Sequence, residues 1–267
     1  NNVILPKLRK GQLLVKLKYS GICHSQIMEI DGKRGKDKWL PHLMGHEGSG
    51  TIIDMHKSVK NFSIGSDVIM GWIKGKGLEA GGTTYYHEKL GNINGGPITT
   101  FNEYSVVSEN RLIKKPKNLP FKEAVLFGCA IPTGFGIVLN QARPKKNSII
   151  SVLGLGGIGM SAIIASKCLH PNKLIAIDIS NKKLDQAKKL GANYVLNVKD
   201  KNFKSKYFKI TNSNKSDYIF ESAGRVDTIE LAFDLINDHG SVYFASHPKF
   251  THKIKLDPFE LIKGKKI

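Results

Sequence analysis

The sequence predicts an α/β protein with two domains, a barrel-like β domain followed by a doubly wound parallel sheet. A chain of 267 residues is long enough for two domains, each with its own core. Its first half holds short β-type runs separated by glycines, whereas its second half alternates apolar strand-like runs with helical segments. The character changes near Pro132, so we expect one domain over residues 1–131 and another over 132–267.

Short runs with β-strand character define the first domain. The expected strands are Leu13–Leu17, Gly50–Ile53, Asp67–Met70 and Tyr104–Val107. Residues 73–99 are polar and rich in glycine and show no clear hydrophobic period, so we expect an extended surface lobe or loop there.

Apolar runs of the second domain are typical of strands that are buried on both faces. The expected strands are Ser148–Leu153, Lys173–Asp178, Asn193–Leu196, Ser216–Glu221 and Gly240–Phe244. The expected helices are Met160–Leu169, Asn181–Leu190, which Gly191 caps, and Val226–Leu235. Strands and helices that alternate at this length indicate a parallel sheet with right-handed crossovers.

Composition argues against several classes of partner. The formal charge is +19, but only five of the 41 basic residues are arginines, the residue that nucleic-acid readout favours. We therefore do not expect a nucleic-acid partner. No apolar run approaches the roughly 20 residues of a membrane span, so we expect no membrane partner either. Three cysteines make no disulfide framework, which favours a reducing compartment and a cytoplasmic location.

A dinucleotide site is predicted where the second domain begins. Gly154, Gly156 and Gly159 follow a buried strand and open a helix. They would permit a tight turn, close approach of a pyrophosphate, and close packing of helix on strand, respectively. Asp178 ends the next strand, 24 residues after Gly154, near the spacing expected for an acid that binds ribose hydroxyls. A carboxylate there would repel a 2′-phosphate, which favours NAD over NADP.

A metal site is the second candidate. Cys23, His46 and Cys129 offer two thiolates and one imidazole, the usual protein ligands of a catalytic zinc that keeps its fourth position open. Ordinary packed cysteines and a loop histidine remain the alternative, since spacing along the chain alone does not bring three distant residues together. Cys168 lies in an apolar helical stretch, and we expect it to be a small buried residue.

Four motifs are similar to those of the zinc-dependent medium-chain alcohol dehydrogenase family. They are Gly21–Ser25, Gly45–Glu47, Gly128–Gly136 and Gly154–Gly159, in the family's order and at its spacings. The resemblance implies a GroES-like β-barrel-type catalytic domain and a Rossmann domain that binds NAD. It also implies one catalytic Zn²⁺ on Cys23, His46 and Cys129, and assembly into a homodimer or homotetramer.

The resemblance also implies roles for residues around that metal site. Ser25 matches the hydroxyl that begins the proton relay, and His24 matches a basic position near the cofactor pyrophosphate. Glu47 matches an acid beside the zinc, and Trp72 matches an aromatic wall of the substrate pocket. For Trp72, an ordinary core aromatic is the alternative.

Further roles fall in the cofactor domain. Gly157 and Ile158 complete the glycine-rich turn, and Thr133 matches a residue beside the nicotinamide. Lys183 matches the partner of Asp178 in ribose binding, and Arg225 matches a residue near the cofactor.

The sequence departs from the family at four places. Residues 73–99 contain no cysteine, so we expect no structural zinc. Gln26 replaces an acid that orients the zinc-binding histidine, and Met28 replaces a relay histidine found in some members. The chain starts after the family's first strands and stops near the end of the cofactor domain, so we expect it to be truncated at both ends.

The expected function is hydride transfer between an alcohol and NAD, which gives an aldehyde or ketone. A zinc-free quinone or enone reductase of the same superfamily is one alternative, although such enzymes usually lack the cysteine and histidine ligands. A non-catalytic dinucleotide-binding or RNA-binding protein is the other, and the positive charge is its main support.

Overall fold

The structure, a computed structural model, describes residues 3–267 as two compact units. The first unit ends at Ala130 and the second unit is Ile131–Ile267.

The first unit is built on antiparallel strands. Its strands are β1 (Gln12–Ser20), β2 (Gly48–Met55), β3 (Asp67–Met70), β4 (Thr83–His87), β5 (Gly91–Gly96), β6 (Tyr104–Ser108) and β7 (Leu112–Lys114). Five of them form one sheet in the order β6-β1-β2-β3-β7. Leu13 and Val15, two residues apart on β1, are fully buried with Ile52 and Val68, as the alternating pattern predicts. All four strands predicted for this unit are confirmed.

Helical segments connect these strands. They are α1 (His24–Ile30), α2 (Phe121–Ala124), and two 3₁₀ turns at Glu109–Arg111 and Val125–Gly128. Glu109 holds two loops: its Oε1 accepts the backbone N–H groups of Lys60 and Asn61, and its Oε2 accepts that of Leu78 at 2.9 Å. Burial acts to raise the pKa of this carboxyl, but these donors outweigh it and hold the pKa below its ordinary value.

The extended surface lobe or loop predicted over residues 73–99 contains two strands that the sequence pattern did not reveal. β4 and β5 form an antiparallel hairpin there, in which Tyr85 and Ile93 are buried. The Tyr85 hydroxyl accepts the N–H of Val106 at 2.8 Å and so fastens the hairpin to β6. Buried and exposed residues alternate in Thr83–His87, but the run is short and the glycines around it hide the alternation in a longer stretch of sequence.

The second unit is a parallel sheet in the order β10-β9-β8-β11-β12, which confirms the doubly wound sheet. The strands are β8 (Ile149–Leu153), β9 (Lys173–Asp178), β10 (Tyr194–Asn197), β11 (Ser216–Glu221) and β12 (Ile236–Phe244). The helices are α3 (Ala130–Gly136), α4 (Gly157–Lys167), α5 (Asn181–Lys189), α6 (Phe203–Thr211), α7 (Val226–Leu235) and α8 (Pro258–Ile262). A π-helical turn, Ile137–Ala142, extends α3.

Both faces of this sheet are covered. Ile150 and Val152 of β8 pack on one face with Ile163 of α4, and Leu153 packs on the other. Tyr207 of α6 is fully buried on that second face, and its hydroxyl donates to Leu235 O at 2.9 Å. Burial raises the pKa of this hydroxyl. Two-sided burial explains why these strands were recognisable as uninterrupted apolar runs.

Cys168 is exposed, so its prediction as a buried residue is wrong. The helix α4 ends at Lys167 and Cys168 forms its C-cap, whereas Ala165 and Ser166 provide the buried surface of the last turn.

Among residues 3–267, no single helix has both the length and the apolar character needed to cross a membrane. One bent pair, Phe121–Gly128 with Ala130–Ala142, meets those criteria together, by length and composition only.

Candidate functional site

Three side chains converge in the first unit, each from the end of an element. Cys23 immediately precedes α1, His46 lies just before β2, and Cys129 follows the 3₁₀ turn Val125–Gly128. Their ligand atoms all lie within 4.8 Å of one another, and all three residues are partly buried. The structure therefore brings together the three residues that the sequence proposed as metal ligands.

Contacts inside this cluster favour ionised groups. Hydrogen bonds from Cys129 and His46, and from the side chain and backbone of Ser25, lower the pKa of the Cys23 thiol far below its ordinary value. The Cys23 sulfur in turn raises the pKa of His46. Ser25 thus lies at the Cys23 sulfur, as a residue of the same site would.

Glu47 lies next to these three residues. It is 4% exposed, and burial raises the pKa of its carboxyl, with the Cys23 sulfur adding to the effect. Its Oε2 has no hydrogen-bond partner among the described residues. A Cβ added to Gly21 would lie 2.6 Å from the Glu47 carboxyl carbon, so glycine is needed there to admit this side chain. A buried carboxylate with an unpaired oxygen favours a cation close by.

Two further glycines allow the ligand loops to meet. Gly45, at φ +91°, would place a Cβ 2.4 Å from Thr100 Oγ1, and it immediately precedes His46. Gly128 would place a Cβ 2.4 Å from Met70 O, and it immediately precedes Cys129. Larger residues at these positions would displace the backbone beside each ligand.

The remaining candidates of the first unit are exposed. His24 is the first residue of α1, and its side chain faces solvent. Trp72 is 53% exposed and its ring lies 5.7 Å from the Arg111 guanidinium, so it is not a core aromatic.

The glycine-rich turn of the second unit begins α4. Gly154 has φ +85°, as a tight turn requires, and a Cβ on Gly159 would lie 1.9 Å from Gly154 O. Gly156 is different, because a Cβ there would meet nothing within 4 Å. The fold itself therefore leaves room at Gly156, and an approaching ligand is a physical reason for glycine at that position. Gly157 and Ile158 form the first turn of α4, whose N–H groups favour an anion.

Other cofactor candidates surround this turn. Asp178 ends β9, and its two oxygens accept the N–H groups of Leu155 at 2.7 Å and Ser180 at 2.9 Å. It therefore fixes the turn and retains lone pairs for a further donor. Lys183 is exposed on α5, and Arg225, exposed at the N-cap of α7, pairs with Asp227 at 2.9 Å.

Thr133 lies on α3, next to the point where α3 touches α4. A Cβ on the neighbouring Gly134 would lie 2.4 Å from Ile158 O. Thr133 is therefore next in sequence to a residue that packs on the first turn of α4.

A polar cluster connected to the loop of the candidate ligand His46 was not predicted from the sequence. His42 places Nε2 2.7 Å from Asp37 Oδ2 and 3.6 Å from Glu29 Oε1, and its Nδ1 lies 2.9 Å from Leu43 O. These oxygens outweigh burial and raise the pKa of His42. Gln26 connects the cluster to Gly45, because its Oε1 accepts the Gly45 N–H. The sequence gave no signal for this cluster, because several of its residues lie in a loop and together they follow no recognisable spacing.

The donor sets fit the two groups that the sequence suggested. Two thiol sulfurs and an imidazole nitrogen suit Zn²⁺, and the buried Glu47 carboxyl beside them has an oxygen without a hydrogen-bond partner among the described residues. The open space at Gly156 and the helix N-terminus suit a dinucleotide pyrophosphate. A β unit with such a cluster, followed by a parallel-sheet unit with such a turn, is typical of dehydrogenases.

Comparisons with known proteins agree with this class. Residues 9–117 match the alcohol dehydrogenase GroES-like domain, and residues 157–267 match the zinc-binding dehydrogenase domain. S-(hydroxymethyl)glutathione dehydrogenase of Escherichia coli is 28% identical over 96% of this chain and 76% of its own length. The structure of benzyl alcohol dehydrogenase from Acinetobacter calcoaceticus superposes with a TM-score of 0.85, at 26% identity, over 99% of this chain and 78% of that one. An alcohol dehydrogenase zinc-binding domain protein from Burkholderia ambifaria gives a TM-score of 0.83 at 25% identity, over 98% and 78%.

The chain belongs to the medium-chain alcohol dehydrogenase family, with a GroES-like domain followed by a Rossmann-like parallel sheet. Its homology to zinc-binding dehydrogenases identifies it as an alcohol oxidoreductase.

Proposed function

We propose that this chain is an NAD- and zinc-dependent alcohol dehydrogenase, which transfers a hydride between an alcohol and NAD and forms an aldehyde or ketone. One observation carries the proposal: the ligand atoms of Cys23, His46 and Cys129 lie within 4.8 Å of one another in a member of this family. The same convergence argues against a zinc-free quinone or enone reductase.

Zinc bound at this site would supply Lewis-acid chemistry, which lowers the pKa of an alcohol. Cys23 and Cys129 would hold the metal as thiolates, and His46 would bind as neutral imidazole. The Ser25 hydroxyl lies at the Cys23 sulfur. We propose that it accepts the proton that leaves the alcohol and passes it on. We assign Glu47 to the surroundings of the ligands, where a bound cation would favour its ionised form and oppose the rise in pKa that burial causes. We assign Trp72 to the substrate side.

Cofactor binding belongs to the second unit in this proposal. The turn Gly154–Gly159 and the first turn of α4 would hold the pyrophosphate, and Asp178 with Lys183 would hold the adenosine ribose. The Asp178 carboxylate favours NAD, since it would repel a 2′-phosphate. Thr133 and Arg225 would contact other parts of the cofactor, and His24 would lie near its pyrophosphate. Assembly as a homodimer or homotetramer and a cytoplasmic location remain predictions.

Zinc content per chain, measured by elemental mass spectrometry, tests the metal site. Cys129→Ser is compared with Cys168→Ser, a matched control that removes an exposed cysteine of the second unit. We expect close to one zinc in the wild type and in the control, and much less in Cys129→Ser. Equal zinc in all three proteins, or none in any, would contradict the proposal.

NADH formation, followed by absorbance, then tests the reaction. The named substrates of two relatives, S-(hydroxymethyl)glutathione and benzyl alcohol, both carry a primary hydroxyl on a larger group. We therefore propose primary alcohols of this kind for the first screen with NAD. A zinc-loaded chain that binds NADH but oxidises no alcohol in a broad screen would contradict the proposed activity.

A further inference from the structure

Gln26 is a buried polar link between α1 and the loop that carries His46. It is 7% exposed, and both ends of its amide are used. The Oε1 atom accepts the N–H of Gly45, and the Nε2 atom donates to Glu29 Oε2 at 3.1 Å. Cys23 lies one turn before Gln26, and its carbonyl accepts the Gln26 N–H at 3.0 Å. Gln26 thus connects Cys23, through its backbone N–H, with the residue that precedes His46, through its side chain.

Glu29 is itself held from the loop that follows α1. Its Oε1 lies 3.6 Å from His42 Nε2, and its Oε2 lies 3.9 Å from an Arg34 nitrogen. His42 is fixed in turn by Asp37 Oδ2 at 2.7 Å and Leu43 O at 2.9 Å. These ion pairs favour the Glu29 conformation that accepts the hydrogen bond from the Gln26 amide.

The Gln26 contact holds Gly45 itself, next to Met44, whose carbonyl accepts the N–H groups of Thr100 and Phe101. Gly45 adopts φ +91°, and β2, which would fix the chain by strand pairing, begins only at Gly48. The Gln26 oxygen therefore restrains the backbone one residue before His46.

We propose that Gln26, anchored by Glu29 and His42, is a positioning residue that sets the separation of Cys23 and His46 and thereby the metal affinity of the site. This inference rests on the proposed zinc site. In the proposal, the side chain acts through the backbone of Gly45 and does not touch the metal.

The contacts specify an amide at position 26. One end must accept a hydrogen bond and the other must donate one, so Gln26→Glu would set a carboxylate against the Glu29 carboxylate. Gln26→Met keeps the length but loses both bonds. In Gln26→Glu/Glu29→Gln the donor and acceptor exchange places, so both bonds are restored at unchanged net charge.

The experiment measures zinc dissociation constants by competition with a chromophoric chelator, and d–d absorption after Co²⁺ substitution. It compares wild type, the two single variants at Gln26, Glu29→Gln and the double variant, with the exposed Gln186→Glu as the charge-matched control. Loss of an outer-shell partner typically weakens metal binding about 10- to 100-fold, and we expect that loss in Gln26→Glu and Gln26→Met. The Co²⁺ spectrum should shift in both variants, and thermal unfolding reports whether each variant is folded.

The double variant distinguishes a positioning role of Gln26 from a general disturbance of the structure by the substitutions. We expect its zinc affinity and Co²⁺ spectrum to return close to those of the wild type, while Gln186→Glu never departs from them. Wild-type values in both Gln26 variants, or a double variant as weak as Gln26→Glu, would overturn the inference. A wild type that binds no zinc would instead overturn the proposed function, and this inference with it.

Discussion

Alanine substitutions at Gly156 and Gly159 should have different effects on stability, although only two residues separate these positions. At Gly156 an added Cβ meets nothing within 4 Å. Losing glycine at this N-cap costs about 0.5–1 kcal/mol, and the reduced freedom of the unfolded chain returns about 0.4–1 kcal/mol. The free energy of unfolding of Gly156→Ala should therefore stay within about 0.5 kcal/mol of the wild type.

Gly159→Ala introduces a Cβ 1.9 Å from Gly154 O and 2.7 Å from Ser222 Oγ. Overpacking of this kind costs about 1–3 kcal/mol, and a clash with backbone places it at the upper end. Higher helix propensity returns no more than about 1 kcal/mol, so we expect a net loss of about 2 kcal/mol. Urea unfolding, followed by circular dichroism, measures both variants.

Gly156→Ala, which should keep its stability, should lose affinity for NADH. A methyl group at Gly156 would occupy the space that we assign to the pyrophosphate, so its NADH dissociation constant should rise at least about tenfold, or about 1.4 kcal/mol. A fluorescence titration measures this constant. A Gly156→Ala protein with wild-type NADH affinity, or with the instability expected of Gly159→Ala, would refute the assignment of this space to a ligand.

Three further substitutions test other contacts. Glu109→Gln should lower the free energy of unfolding by about 1–3 kcal/mol at neutral pH, because an amide NH₂ would face backbone donors. Since the folded-state pKa of Glu109 is lowered, its contribution is present above the ordinary glutamate pKa and is lost as the pH falls through the folded value, so the two proteins should converge in acid. Asp178→Ala should weaken NADH binding more than NADPH binding, as measured by the ratio of dissociation constants; an unchanged ratio would contradict ribose recognition by this carboxylate. Tyr207→Phe should lower the free energy of unfolding by about 0.5–1.5 kcal/mol in a urea titration, because Leu235 O loses its donor, and no change would show that water replaces the hydroxyl.

Sequence patterns predicted the sheets better than the connections between strands. The strands β8, β9 and β11 are buried on both faces, so their apolar runs were unmistakable. The helix α1 was not predicted, because its buried residues are Gln26 and Met28 and it shows no apolar period. The exposed position of Cys168 depends on where α4 ends, which composition does not fix.

The candidate site was predictable only where a motif concentrates its chemistry in a few positions. Cys23, His46 and the glycine-rich turn each lie in a short recognisable motif. The contacts of His42 with Asp37 and Glu29 depend on how the loop after α1 folds back, and no spacing rule describes that path. The use of Gln26 to hold a backbone N–H was likewise visible only once the loop was in place.

Cys129 is nearly the last residue of the first unit, and more than a hundred residues separate it from Cys23. Closing so long a loop is entropically unfavourable, and contacts between distant segments form late in folding. A nascent chain therefore presents Cys23 and His46 long before the third donor emerges. If the proposed zinc site forms, tight capture of the metal would require the first unit to be almost entirely synthesised and folded, so bound zinc would mark chains whose first unit has matured.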